Sequence, residues 1–240
     1  MSRPSLAVLG GSAAVAAGAY ATFLSPTAQL VGPIPYRLPT SEKVVALTFD
    51  DGPNEPYTSR LADLLAEREV SATFFQVGRC IERFPETTRR LVADGHLVGN
   101  HSWSHQLHRC LGENTIRAET ERTSQLLTDI TGRPPVSYRP PWLLRTPAHF
   151  RVLSDLGLQP VSGTFCHPLE ICQPPARQIA RLTVRAVRPG SIMIFHDGYN
   201  AQTADRTQTV AAVGLVIDRL RHQGYRFVTV DPTVLAARRS

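Results

Sequence analysis

The sequence predicts an α/β fold built on a parallel sheet. Three observations point there. After residue 42, short β-branched runs alternate with longer amphipathic stretches, the pattern of strand-helix repeats with helices outside a sheet. At 240 residues, with 42% hydrophobic content, the chain can bury one large α/β core or two small ones. Aspartate, histidine and arginine recur at the carboxyl ends of the predicted strands, the edge where such sheets and barrels gather their sites.

The elements follow in order. Arg3 precedes an uncharged run from Pro4 to Gln29, rich in Ala, Gly, Leu and Val. Residues 1–24 are expected to be a signal peptide or signal anchor; the apolar part, Leu6 to Leu24, approaches the ~20 residues that span a bilayer. Ala19-Tyr20-Ala21 is a weak small-residue cleavage site, and a buried N-terminal helix is the bland alternative. Residues 25–42 read as a proline-rich linker. Strands are expected at 43–49, 71–77, 96–99, 136–139, 159–164, 190–196 and 225–230. Helices are expected at 57–69, 82–94, 113–131, 147–156, 175–187 and 205–223. Glu119 and Arg122 sit at helical spacing in the 113–131 stretch, and Gly132 is its expected cap. Six or seven such units suit a barrel or a doubly wound sheet.

Charge and cysteines bound the partners. The formal net charge is +6 and the pI about 9.5, nearly all from arginine; Lys43 is the only lysine. The basic residues are scattered, with no basic stripe and interleaved aromatics, so nucleic acid is not an expected partner. A basic surface suits an anionic matrix such as a cell-wall polymer. Cys80, Cys110, Cys166 and Cys172 contain no Cys-x-x-Cys, against a structural zinc site. Pairing Cys166 with Cys172 and Cys80 with Cys110 is one of three possible connectivities.

The chemistry begins at Val44-Val45-Ala46-Leu47-Thr48-Phe49-Asp50-Asp51-Gly52-Pro53. A buried strand ends in two adjacent carboxylates, then turns at Gly-Pro. Neighbouring carboxylates repel unless a cation, a proton or an arginine separates their roles. One can bind a metal while the other serves as a base. His101-Ser102-Trp103-Ser104-His105 places two imidazoles at i and i+4, facing one way on a helical turn. With one aspartate they form a two-histidine, one-carboxylate set that leaves a coordination position open. Arg139-Pro140-Pro141-Trp142 sets a guanidinium beside a stiff double proline and an aromatic. Ile194-Phe195-His196 ends another buried strand, and His196 at the Asp50 edge is a candidate general acid.

These segments together resemble the polysaccharide deacetylase family with the NodB homology domain, carbohydrate esterase family 4. Thr48 to Pro53, His101 to His105, Arg139 to Trp142 and Ile194 to His196 match its first, second, third and fifth motifs, within residues 43–231. The resemblance implies a distorted (β/α) barrel over residues 43–235. It implies that Asp51, His101 and His105 bind a divalent transition metal, Zn2+ before Co2+ or Ni2+. Asp50 would be the base, oriented by Arg139, and His196 would protonate the leaving amine. The Trp142 backbone N–H would stabilise the oxyanion, while Pro141 and the Trp142 ring line the sugar groove. The fourth motif departs from the family, because no Asp-Trp pair occurs. Counting along the chain, Glu170-Ile171 falls in its place. Glu170 either substitutes for that aspartate or lies on the surface of a rebuilt loop, and His167 is expected to be solvated.

The implied function is hydrolysis of N-acetyl groups on N-acetylglucosamine units of a peptidoglycan or chitin-like glycan. The alternatives are an O-acetyl polysaccharide esterase and a weakly catalytic glycan-binding homologue. The expected protein is an exported monomer, periplasmic, extracellular or held at a membrane by its N-terminal segment.

Overall fold

β1 (Val44–Asp50) carries the fold's logic. All seven residues are buried, and they alternate between two cores. Val45, Leu47 and Phe49 face the layer of helices, whereas Val44 and Ala46 face the inside of the curled sheet. Period-two alternation therefore puts Thr48 and Asp50 on the inner side as well, with Asp50 at its mouth.

The computed structural model describes residues 17–165, 167 and 169–236. β2 (Thr73–Gln76), β3 (Leu97–Asn100), β4 (Ser137–Tyr138) and β5 (Gln159–Pro160) extend the sheet on one side of β1. β7 (Ile192–His196) and β6 (Thr164–Phe165) extend it on the other. The order is β5-β4-β3-β2-β1-β7-β6, and the ladders are parallel. β8 (Arg226–Phe227) pairs with Val44 and Val45 at the start of β1. This is the curled, incompletely closed parallel barrel that the resemblance implies. Strand β1 is its hub, and Asp50 stands in register with His196.

Helices α2 (Tyr57–Glu67), α5 (Glu113–Thr131), α6 (Pro147–Asp155), α7 (Ala176–Ala186) and α8 (Thr207–His222) fall where amphipathic spacing predicts. α5 closes on Gly132 at φ 71°, and the Gly132 N–H donates to Thr128 O at 2.8 Å. The expected helix at 82–94 is two helices, α3 (Gly78–Arg83) and α4 (Pro85–Ala93), because Pro85 excludes a helical residue before it and starts the second helix. The expected strand at 159–164 is likewise divided, into β5 and β6. Val161 to Gly163 between them leave the ladder, and the Ser162 backbone serves Arg139 and Pro35 instead. A short α9 (Pro232–Ala236) was not expected.

The stretch read as a linker is docked on the domain. Ile34 and Leu38 are buried, Leu38 inside the barrel with Phe75, Val161 and Ile192. The Leu38 N–H donates to Gly190 O at 2.7 Å, and Ser162 N–H donates to Pro35 O at 2.8 Å. Prolines exclude regular structure here; they do not prevent packing. The described part of α1 covers residues 17–23, and residues 1–16 of the expected signal segment lie outside the described residues. No helix among the described residues is long and apolar enough to cross a membrane. Cys80 and Cys110 are free and buried, so that suggested pairing does not form. Cys172 is free, and Cys166 lies outside the described residues.

Candidate active site

The mouth of the barrel gathers residues from four strand ends. Asp50 closes β1, His101 follows β3, Arg139 follows β4 and His196 closes β7. Asp50, His101 and His196 line one cleft of about 420 Å³ together with Asp51, His105, Pro140, Trp142 and Glu170, and Arg139 is buried behind Asp50.

The paired aspartates both face this cleft because the strand ends between them. Asp50 points inward by alternation; a continued strand would turn Asp51 toward the helices. Asp51 instead adopts φ 76°, a conformation rare for a residue with a side chain, and its carboxylate swings back to the mouth. Gly52 and Gly198 make room for the turn. A Cβ at Gly52 would strike the Asp197 carboxylate, and one at Gly198 would strike the Asp51 carbonyl.

The two carboxylates meet different partners. Arg139, fully buried, donates from Nη1 to Asp50 Oδ1 and Thr48 Oγ1, both at 2.7 Å, and from Nη2 to Ser162 O at 2.8 Å. Its guanidinium lies over the Phe75 ring, 4.2 Å from the centroid. Asp51 Oδ1 lies 3.1 Å from His105 Nε2 and 3.5 Å from His101 Nε2, and Asn200 N–H donates to Oδ2 at 3.1 Å. Burial pushes the Asp51 carboxyl up. His105, His101 and His196 outweigh it and hold the group well below the usual carboxylate range.

The His101–His105 segment is not the expected helical turn. It is an irregular loop in which Ser102 and His105 take positive φ, 63° and 55°. Buried polar residues hold this loop. Ser102 N–H donates to Asn100 Oδ1 at 2.8 Å, and the Ser104 N–H and hydroxyl donate to Glu119 Oε2 at 2.7 and 2.8 Å. Glu119 is therefore a buried strut rather than a surface partner of Arg122, which instead stacks on Trp103.

Asp51, His101 and His105 are spaced to share one cation, their ligand atoms lying within 4.8 Å of one another. The donor set fits. His101 Nδ1–H donates to Arg139 O at 2.6 Å, which leaves the Nε2 lone pair facing Asp51. Burial pushes the His105 imidazole down to about 4, so its ring is neutral at physiological pH. Asp51 Oδ1 is buried with no hydrogen-bond partner. Two imidazoles around an unsatisfied carboxylate oxygen form a cradle that a divalent cation would complete.

Across the cleft, Glu170 is buried rather than displayed on the surface. Its Oε2 accepts from His196 Nδ1 at 2.7 Å, and its Oε1 accepts from the Thr209 hydroxyl at the start of α8. Burial alone would lower the His196 pKa; the Glu170 carboxylate outweighs it and raises the value to about 9. Trp142 is about half exposed at φ 59°, its ring 5.2 Å from that of His105, whereas Pro141 is buried behind it. His167 is also buried, contrary to the expectation of a solvated side chain.

Asp197, Asn200, Thr209 and Asn100 were not singled out from the sequence, and Glu119 was noted only for its helical spacing to Arg122. Asp197 follows His196 directly; burial raises its pKa to about 7, and it accepts from Thr58 Oγ1 at 2.5 Å. The only local signal was its place in the polar turn after β7.

Comparison with known proteins agrees with this geometry. The sequence profile described as polysaccharide deacetylase matches residues 37–161. A peptidoglycan-N-acetylglucosamine deacetylase of Bacillus cereus is 33% identical over 218 residues, covering 87% of this chain and 94% of the relative. A crystal structure of a peptidoglycan N-acetylglucosamine deacetylase superposes with a TM-score of 0.76 at 28% identity, over 84% of this chain and 92% of that one. A family 4 acetyl xylan esterase from Clostridium thermocellum, solved with a cobalt ion, gives 0.71 at 34% identity, over 78% of this chain and 88% of that one.

Proposed function

This chain belongs to the polysaccharide deacetylase family, and on that premise we propose that it hydrolyses N-acetyl groups on N-acetylglucosamine units of a cell-wall or chitin-like glycan. The observation that carries the reading is the division of labour across one cleft. An arginine-held aspartate and a carboxylate-backed histidine flank an Asp-His-His cradle.

Asp51, His101 and His105 would hold the divalent ion, zinc before cobalt or nickel. Bound there, it supplies a Lewis acid for the acetyl carbonyl and for water. Asp50 does the proton work on the attacking side. Its Oδ1 is committed to Arg139, and its second oxygen accepts the proton of the incoming water. The Trp142 backbone N–H stabilises the developing oxyanion. His196 holds a proton for the leaving nitrogen, and Glu170 at Nδ1 keeps it there at neutral pH. An amide nitrogen is a poor leaving group until it is protonated, so a histidine held in its charged form suits an N-acetyl substrate. Pro140 and the Trp142 ring border the sugar, and Pro141, expected in that role, is buried and supports the Trp142 turn from behind. Action on such a glycan places the domain outside the cytoplasm, released or held by its N-terminal segment, as a monomer.

The acetyl xylan esterase likeness favours a second reading, O-acetyl hydrolysis with the same residues. A paired assay separates the two. Acetate release is compared on N-acetylglucosamine oligomers, peptidoglycan and acetylated xylan, after chelation and reloading with zinc, cobalt or nickel. Release from xylan alone overturns the N-deacetylase reading. Glycan binding without acetate from any substrate points to a homologue that has lost catalysis.

Glu170→Gln tests the replacement of the usual aspartate. A neutral amide cannot stabilise the imidazolium, so the raised His196 pKa falls toward its ordinary value of 6.5. The acid form is then lost at lower pH. The alkaline limb of kcat should move down by about two pH units, and alkaline rates should fall by about 10²-fold. Glu170→Asp should recover part of the shift. An alkaline limb that stays in place removes Glu170 from the mechanism.

A further inference from the structure

The N-terminal stretch reaches the catalytic cleft. Tyr20 and Leu24 line it together with Trp142, Leu143, Phe165 and His196. Tyr20 is 55% exposed, a ring presented at the cleft rather than packed in a core. Both residues fall in the segment whose composition reads as a signal or anchor.

The way this stretch is held shows a built feature. Arg145 is fully buried, and no carboxylate answers its charge in the described structure. A buried arginine is costly unless every donor is used. Here the fork is spent on main-chain carbonyls: Nη2 on Ser25 O at 2.7 Å, Nη1 on Ala28 O at 2.8 Å and Nε on Leu143 O at 3.1 Å. The Arg145 N–H adds a bond to Phe23 O at 3.1 Å. Ser162 Oγ donates to Pro26 O at 2.7 Å, while the Ser162 carbonyl accepts from Arg139, the arginine that holds Asp50. The segment is thus fastened to two loops at the cleft, on one to Arg145, three residues after Trp142, and on the other to Ser162, whose carbonyl accepts from Arg139.

We propose that residues 20–28 form a fixed wall of the glycan groove, and that Tyr20 and Leu24 make a subsite for the pyranose ring next to the one being deacetylated. This rests on the glycan reading above and adds to it a requirement for chain length. The apolar face of a sugar ring stacks on an aromatic side chain, and an exposed tyrosine beside a half-exposed tryptophan offers two such faces along one groove. Arg145 pre-organises the wall, so little ordering entropy opposes binding. The subsite exists only in a chain that keeps residue 20; a cut at Ala21 would remove it and leave the Arg145 clasp in place.

The test uses the full chain loaded with zinc and a series running from N-acetylglucosamine itself to its pentamer. Tyr20→Ala and Leu24→Ala should raise KM about five- to tenfold for the dimer and every longer oligomer and less than about twofold for the monosaccharide, with the loss carried in KM. Arg145→Lys, which loses the fork that grips three carbonyls, should give the same length dependence. If that variant does not fold, Tyr20→Ala and Leu24→Ala still decide. An unchanged KM at every length, or an equal loss at every length, overturns the subsite. Calorimetric titration of the pentamer into Asp50→Asn and into the Tyr20→Ala double variant reads the same subsite without turnover. A parent that releases no acetate, but loses pentamer affinity with Tyr20, fails the deacetylase reading and upholds the subsite; a parent that binds no glycan overturns both.

Discussion

Asp51→Ala, His101→Ala or His105→Ala is expected to abolish zinc retention and acetate release together. Each removes one of only three ligands, and two ligands in an open cleft hold a cation weakly. The cradle is also matched to its protonation needs. His101 is oriented by the Arg139 carbonyl at Nδ1, which turns Nε2 toward Asp51, and burial keeps His105 neutral down to about pH 4. A cation that binds only the folded chain adds stability: at about a thousand times its dissociation constant, roughly 4 kcal/mol. For a domain of this size that corresponds to a rise in Tm of roughly 8–16 °C. The parent should show this rise on adding zinc, and the three variants should not. Metal analysis, melting and acetate release then give three independent readings. A variant that keeps stoichiometric zinc and its thermal shift removes that residue from the ligand set.

How much of this site could be read in advance depends on how local its causes are. Asp50 was legible because strand alternation and a Gly-Pro turn are properties of ten adjacent residues. The conformation of Asp51 was not, since its positive φ is imposed by the close approach of Asp197 and Gly198 from β7. His101 and His105 do meet beside Asp51, but on an irregular loop rather than the expected helical turn. Asn100, Ser102 and Glu119 fold that loop, and Glu119 arrives from a helix fifteen residues away. Counting along the chain found Glu170, but only the tertiary structure shows why a longer acid works there: Thr209, from the start of α8, takes its second oxygen. The division of 159–164 into two strands reflects Ser162 bonding to Arg139 and Pro35 instead of to a neighbouring strand. The proline-rich stretch misled for a similar reason. Composition reports what a segment cannot form by itself, and the buried Arg145 that fastens it lies more than a hundred residues away.

Asp50→Asn should keep the metal and lose the reaction. The substitution preserves shape, and the amide oxygen can still accept from Arg139 Nη1 at the Oδ1 position. Hydrogen bonding to Arg139 then settles the amide orientation, because the guanidinium can only donate. The amide nitrogen is left at the second position, presenting donors to the cleft where the mechanism requires an acceptor. No proton can be taken from the attacking water, and kcat should fall by about 10³- to 10⁴-fold. The Arg139 charge is left without its counterion in a buried place, but Thr48, the Ser162 carbonyl and the Phe75 ring still hold it. The cost in stability should therefore be modest, about 1–3 kcal/mol. Zinc content and pentamer affinity should remain near those of the parent, because Asp51, His101, His105 and the groove are untouched. This combination separates a base from a ligand: loss of zinc would move Asp50 into the cation's coordination sphere, and turnover within about tenfold of the parent would transfer the base role to another group.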